Sequence, residues 1–91
     1  MRHRITQRAE RDLKDIYQYT YEAFGEGQAG KYLRELDHVF GLIADNLRMG
    51  RVYEGRTYQF VHGKHIIIYR IASDHVVIGR VFHGAQSPEK R

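Results

Sequence analysis

An arginine stands inside an otherwise apolar run, Ile78-Gly79-Arg80-Val81-Phe82-His83. Burying a charge is costly unless it is paired, so Arg80 is either held by a partner or placed for function. Strand alternation puts Ile78, Arg80 and Phe82 on one face and Val77, Gly79, Val81 and His83 on the other. In the structural reading Arg80 pairs with a carboxylate such as Glu54 or bonds backbone carbonyls. In the functional reading it projects from a sheet face that no helix covers and meets a target, or a phosphate, together with Arg70, His83, Lys90 and Arg91. The second is favoured, because residues 48–91 hold eight Lys or Arg against three Asp or Glu.

The other chemistry-bearing residues carry weaker signals. His62 and His65 are three apart, but a turn separates them and no acidic cluster joins them, so the expectation is no metal site. The six histidines then read as solvent-exposed or capping groups. Tyr17, Tyr19, Tyr21 and Tyr32 lie on or near a helical region. Core packing accounts for Tyr17 and Tyr32, whereas Tyr19 and Tyr21 fall off the apolar stripe and suit a partner surface as well as plain exposure. Gly25-Glu26-Gly27 has no preceding strand, so it is not a phosphate loop. With no cysteine there is no disulfide, thiolate ligand or cysteine nucleophile.

The elements that position these groups follow from periodicity. His3-Arg4-Ile5 reads as a short strand. Thr6 suits a helix N-cap, since its hydroxyl can accept from a free backbone N–H. Ala9, Leu13, Ile16, Tyr17, Thr20 and Phe24 then recur at helical spacing as one apolar face, with Arg8, Arg11, Asp12, Asp15, Gln18 and Glu22 opposite. Gly25 ends that helix. A second helix carries Ala29, Tyr32, Leu33, Leu36, Val39, Phe40, Ile43 and Leu47. The spacing predicts helices over 7–24 and 27–47, antiparallel because the link is short. Residues 48–56 read as a Gly- and Arg-rich loop. Strands follow at 57–61, 64–71 and 75–83, with Ser73-Asp74 supplying turn chemistry between the last two. A helical hairpin cannot bury both of its apolar stripes alone, so it must lie on one face of a small, mostly antiparallel sheet. The expected fold class is α+β, in the order β-α-α-β-β-β.

At 91 residues the chain is one domain, spanning 1–91 with a mobile tail over 84–91. A core this small leaves marginal stability, which a permanent partner would raise. The net charge of +4 is uneven: residues 1–47 hold seven Lys or Arg against eight Asp or Glu, and the basic excess lies beyond them. No apolar run is long enough to span a bilayer, and no apolar segment follows the basic N-terminus. The expectation is a soluble, cytoplasmic protein without membrane contact.

Several segments together resemble ParE toxins of the RelE/ParE superfamily. Ala9-Glu10-Arg11-Asp12-Leu13-Lys14-Asp15-Ile16-Tyr17-Gln18-Tyr19 is similar to that family's first helix. Phe24-Gly25-Glu26-Gly27-Gln28-Ala29-Gly30-Lys31-Tyr32 is similar to its inter-helix turn, and Met49-Gly50-Arg51 to its usual Gly-Arg after the second helix. His65-Ile66-Ile67-Ile68-Tyr69-Arg70 and Ile78-Gly79-Arg80-Val81-Phe82-His83 resemble its signature strands. The resemblance is collinear over nearly the whole chain, although the loop over 51–57 is shorter than in many relatives.

The resemblance implies a bacterial toxin of a type II toxin–antitoxin system that inhibits DNA gyrase by protein binding, with no cofactor. It implies a cognate ParD-like antitoxin, held in a hetero-oligomer on Tyr17, Tyr21, Tyr32 and Leu36. Target contact would fall to Arg70, Arg80, His83, Lys90 and Arg91. The alternative is a RelE-like ribosome-dependent mRNA endoribonuclease, whose partners are the ribosome and mRNA. Arg56, Arg80 and His83 would then supply charge and general acid–base chemistry. That set is incomplete, since His83-Gly84-Ala85-Gln86 brings no Tyr or second His, and His65 stands where nuclease relatives often place Arg. A third reading is an inactive module that only sequesters an antitoxin.

Overall fold

Thr6 ends the first strand and starts the first helix. Its hydroxyl accepts from the Ala9 N–H at 3.0 Å, as a cap should, and donates to the Gly79 carbonyl at 3.0 Å. One side chain thus caps the helix and ties its start to the last strand. The computed structural model describes residues 1–86. In order these are β1 (Arg2–Ile5), α1 (Gln7–Phe24), α2 (Glu26–Asp45), β2 (Arg51–Glu54), β3 (Thr57–His62), β4 (His65–Ile71), β5 (His75–His83) and a 3₁₀ turn (Gly84–Gln86).

The strands form a single five-stranded sheet in the order β1-β5-β4-β3-β2. Only the β1–β5 pair is parallel; the other pairs are antiparallel. Both helices lie on one face, and the core between them is built from Ile16, Leu36, Val39, Phe40 and Ile43 against Ile67, Tyr69, Val76, Ile78 and Val81. Gly25 joins the helices at φ 94°, a conformation a side chain would strain. The α+β fold and the helical hairpin therefore stand as read from the sequence.

Three local readings change. Residues 51–54 form an edge strand rather than loop, because Gly55 at φ 56° turns the chain and the Thr57 hydroxyl bonds the Glu54 carbonyl at 2.6 Å. The face α1 buries is Ala9, Asp12, Ile16 and Thr20; Tyr17 and Phe24 lie exposed. The buried Thr20 hydroxyl bonds back to the Ile16 carbonyl at 2.7 Å, which removes its desolvation penalty. Alternation along β5 also breaks. Ile68 pairs with Arg80 and Tyr69 with Ile78, which leaves Gly79 as an extra residue. The bulge puts Ile78 on the helix side with Val81, while Arg80 and Phe82 fall on the opposite face.

The link from α2 to β2 is fixed by a buried side chain. The Tyr69 hydroxyl donates to the Leu47 carbonyl and accepts from the Gly50 N–H, both at 3.0 Å. Burial raises the Tyr69 pKa, so the hydroxyl keeps the proton it donates. A Cβ at Gly50 would stand 2.4 Å from the Gln59 carbonyl oxygen, closer than any side chain is tolerated. That is the physical reason for glycine in Met49-Gly50-Arg51.

Candidate functional site

Among the described residues no strand lies beside the outer edge of β5 beyond Ile78, because β1 ends at Ile5. The first turns of α1 run along that edge instead. The Thr6 N–H donates to the Ile78 carbonyl at 3.1 Å, and the Val81 N–H donates to Asp12 Oδ2 at 2.9 Å. Asp12 is buried and also receives Arg80 Nε at 2.9 Å and Nη2 at 3.4 Å, with Arg8 Nε 3.7 Å away. One carboxylate so satisfies an orphan strand N–H and a guanidinium fork.

Arg80 belongs by register to the helix-free face, where it lies 5.3 Å over the Phe82 ring. Its guanidinium is nonetheless held at the free edge of β5 by α1. This corrects the sequence reading on two points: the partner is Asp12 rather than Glu54, and the guanidinium does not stand free over the helix-free face. Asp12 was missed because it was assigned to the solvent side of α1. The spacing Ala9, Asp12, Ile16, Thr20 is itself a helical stripe, and a lone carboxylate in such a stripe is the signal that was available.

A cleft of about 530 Å³ opens beside this pair, between α1 and the end of β5. Its walls include Arg8, Tyr19, His65, Arg80 and His83. His83 Nδ1 accepts the Ala85 N–H at 3.0 Å, which leaves Nε2 to carry the proton of the neutral ring. The His65 ring sits 5.6 Å from that of His83 and its Nδ1 lies 2.7 Å from the Tyr32 hydroxyl. Burial, then His83 and His62, lower the His65 pKa. Burial, then Glu35, raise that of Tyr32. Both shifts favour the neutral forms, a protonated Tyr32 hydroxyl beside an uncharged His65 ring; the Tyr32 hydroxyl also donates to the His62 carbonyl at 3.4 Å. Among the described residues no three His, Asp or Glu side chains converge as metal ligands.

The residues named for a nuclease are only partly brought together. Arg80 and His83 share the cleft, but Arg56 lies exposed in the β2–β3 turn. Arg70 is exposed on the helix-free face, away from the cleft. Lys90 and Arg91 lie outside the described residues. Of the residues expected to meet an antitoxin, Leu36 is 0% exposed and belongs to the core, so it offers no surface. Tyr32 is half-buried between α2 and His65 and is largely occupied there. Tyr17 and Tyr21 are exposed, their rings 6.2 Å apart on the outer face of α1. With Leu13 and the 69%-exposed Phe24 they form an apolar stripe along the hairpin.

Comparison with known proteins agrees with this architecture. The family model described as the ParE toxin of type II toxin–antitoxin systems, parDE, matches residues 4–88. A toxin ParE1 of Caulobacter vibrioides is 34% identical over 84 residues, covering 89% of this chain and 86% of that protein. A toxin ParE1 of Mycobacterium tuberculosis is 31% identical over 86 residues, covering 90% and 88%. Among solved structures, a chromosomal ParDE system from P. aeruginosa superposes with a TM-score of 0.79 at 18% identity, covering 91% of this chain and 95% of that one. The toxin–antitoxin complex RelBE2 from Mycobacterium tuberculosis gives 0.54 at 29% identity, covering 90% and 95%. With its hairpin on an open sheet, its Gly-Arg link and its paired signature strands, the chain belongs to the ParE toxin family of type II toxin–antitoxin systems.

Proposed function

We propose that this toxin acts by binding DNA gyrase and is neutralised by a ParD-like antitoxin seated on the outer face of the helical hairpin. The observation that carries the antitoxin surface is the exposed stripe Tyr17, Tyr21 and Phe24, at 36%, 48% and 69% exposure, continued by the half-buried Leu13. Exposed aromatics at helical spacing are what an amphipathic partner segment packs against. The β2 edge, unpaired on its outer side among the described residues, offers strand addition at the far side of the sheet. The family and the ParDE and RelBE2 relatives support a partner of this class.

Binding rather than RNA cleavage is favoured by the state of Arg80. A guanidinium engaged by Asp12 has its charge answered already and is poorly placed to meet a developing phosphorane. The endoribonuclease reading keeps one observation in its favour, that His65, Arg80 and His83 line a common cleft. Supercoiling by purified gyrase, run beside mRNA cleavage on translating ribosomes, separates the two. Inhibited supercoiling with intact mRNA is expected. Cleavage with normal supercoiling would reverse the assignment. On the antitoxin side, Tyr21→Glu is expected to weaken complex formation at least tenfold, and unchanged affinity after charge insertion at both Tyr17 and Tyr21 would remove the hairpin as the docking surface.

A further inference from the structure

The strand register assembles a surface that, apart from Arg80, neither the hairpin nor the cleft uses. One row crosses all five strands: Glu54 beside Thr57, then Arg70, Val77 and Arg4. The next row runs Arg51, Gln59, Ile68, Arg80. Partners in a ladder point to the same side of a sheet, so these rows share the face opposite the helices. Arg2, paired with His75, extends the face along β1. Arg2, Arg4, Arg51 and Arg70 are exposed, and among the described residues none forms an ion pair with a carboxylate. The carboxylates on or beside the face are Glu54 at the β2 end and Asp74, which is bonded to His75 at 2.7 Å.

We infer that this helix-free face binds the phosphate backbone of duplex nucleic acid. Neighbouring strands lie about 4.8 Å apart, so Arg4 and Arg70 stand roughly 10 Å apart with Val77 between them, and Arg51 lies in the adjacent row. Guanidinium groups so spread suit a line of phosphates, which Arg meets bidentately. The face lacks what the alternatives need. Stacking of single-stranded bases requires exposed rings, and Phe82 is only 8% exposed, with Arg80 over it. A protein partner wants aromatic anchors, and those are on the hairpin, on the other side of the molecule. The inference stands whether or not gyrase is the toxin's target.

The test is fluorescence anisotropy of a labelled DNA duplex of about two helical turns, titrated with the full chain across a salt series. About four phosphate contacts give a log–log salt slope near −3.6, hence a loss of affinity of about a hundredfold between 50 and 200 mM salt. The variant Arg4→Gln/Arg51→Gln/Arg70→Gln should bind at least tenfold more weakly at low salt, with a slope near −1. A control variant, Arg11→Gln/Lys31→Gln/Arg34→Gln, removes the same charge from the exposed side of the helices and should stay within threefold of the parent. Circular dichroism checks that both variants are folded. No binding at low salt, or equal losses in both variants, would overturn the inference. So would displacement of the duplex by polyglutamate at matched charge, since an acidic polypeptide would then be the better occupant.

Discussion

Removing Asp12 should harm the protein more than removing Arg80, although the two form one pair. Asp12→Ala strands two groups. The Val81 N–H loses its acceptor, and a buried unsatisfied N–H costs about 1–3 kcal/mol. The Arg80 guanidinium loses its counter-charge, which costs about 3–5 kcal/mol in a fully buried pair. Here the Arg80 side chain is 38% exposed, so water recovers much of that, and about 1–2 kcal/mol remains. The sum is about 2–5 kcal/mol. At about 4–8 °C per kcal/mol for a domain of this size, the melting temperature should fall by at least about 8 °C. Arg80→Ala leaves Asp12 with the Val81 N–H and with Arg8 at 3.7 Å, so it should cost only about 1–2 kcal/mol. The double variant should melt at or above Asp12→Ala alone, because the guanidinium left unpaired by the first change is gone, giving a coupling energy of at least about 1–2 kcal/mol. Thermal and urea melts of the three variants measure all of this. Additive losses, or an Arg80→Ala variant less stable than Asp12→Ala, would refute the shared-carboxylate account. Complete loss of toxicity in Arg80→Ala at parental stability would return Arg80 to a target-contact role.

The remaining predictions concern the link, the histidine cluster and the glycines of the hairpin. Gly50→Ala should destabilise by about 2–3 kcal/mol, since the added Cβ meets backbone that cannot yield; Gly27→Ala, which meets nothing within 4 Å on α2, should be neutral or stabilising by up to about 1 kcal/mol, and equal effects in urea melts would contradict the packing described. The lowered His65 pKa sets a pH dependence. Unfolded His65 takes up its proton near its ordinary 6.5 while the folded ring resists it, so stability is full above that pH and declines as pH falls through the folded pKa. Melting temperatures should drop between pH 7.5 and 5.5, and His65→Gln should flatten that part of the curve; an unchanged slope would mean His65 is not the group responsible.

Much of this was legible from residue pattern. The helix spacing, the Thr6 cap, the Gly25 break and the strand-like runs gave both helices and four of the five strands, all but β2, because each is a local choice with a local signature. What escaped depended on pairing between distant residues. The bulge at Gly79 changes which side of β5 meets the helices, and no single-strand pattern reveals which residue a neighbour will skip. Once Ile78 is counted as core, Val81 follows only through that skip. Asp12 and Arg80 are 68 positions apart. Each looked anomalous only from one side: an arginine in an apolar strand, a carboxylate in an apolar helix stripe. Taken together the two anomalies explain each other. Leu36 was credited both with core packing and with partner contact, and burial allows only the first. Tyr17 and Phe24 went the other way, because a stripe of apolar spacing on α1 exists in two phases and only one faces the sheet.

The separation of these surfaces has a consequence for how toxin and antitoxin could coexist. The aromatic stripe on α1 and the arginine rows lie on opposite sides of the core, and the Asp12–Arg80 link joins the helix that carries one to the strand beside the other. A partner bound on the hairpin therefore leaves Arg4, Arg51 and Arg70 uncovered unless it wraps around the β1 or β2 edge. Neutralisation by a hairpin-bound segment alone would have to act through the cleft, where Tyr19, Arg80 and His83 sit next to α1, rather than by covering the arginine face. If neutralisation requires that face to be blocked, the antitoxin must reach it across a free edge. Arg51 lies on the β2 edge and Arg2 and Arg4 on the β1 edge, so strand addition at either edge would set backbone and any acidic side chains directly beside basic residues of that face.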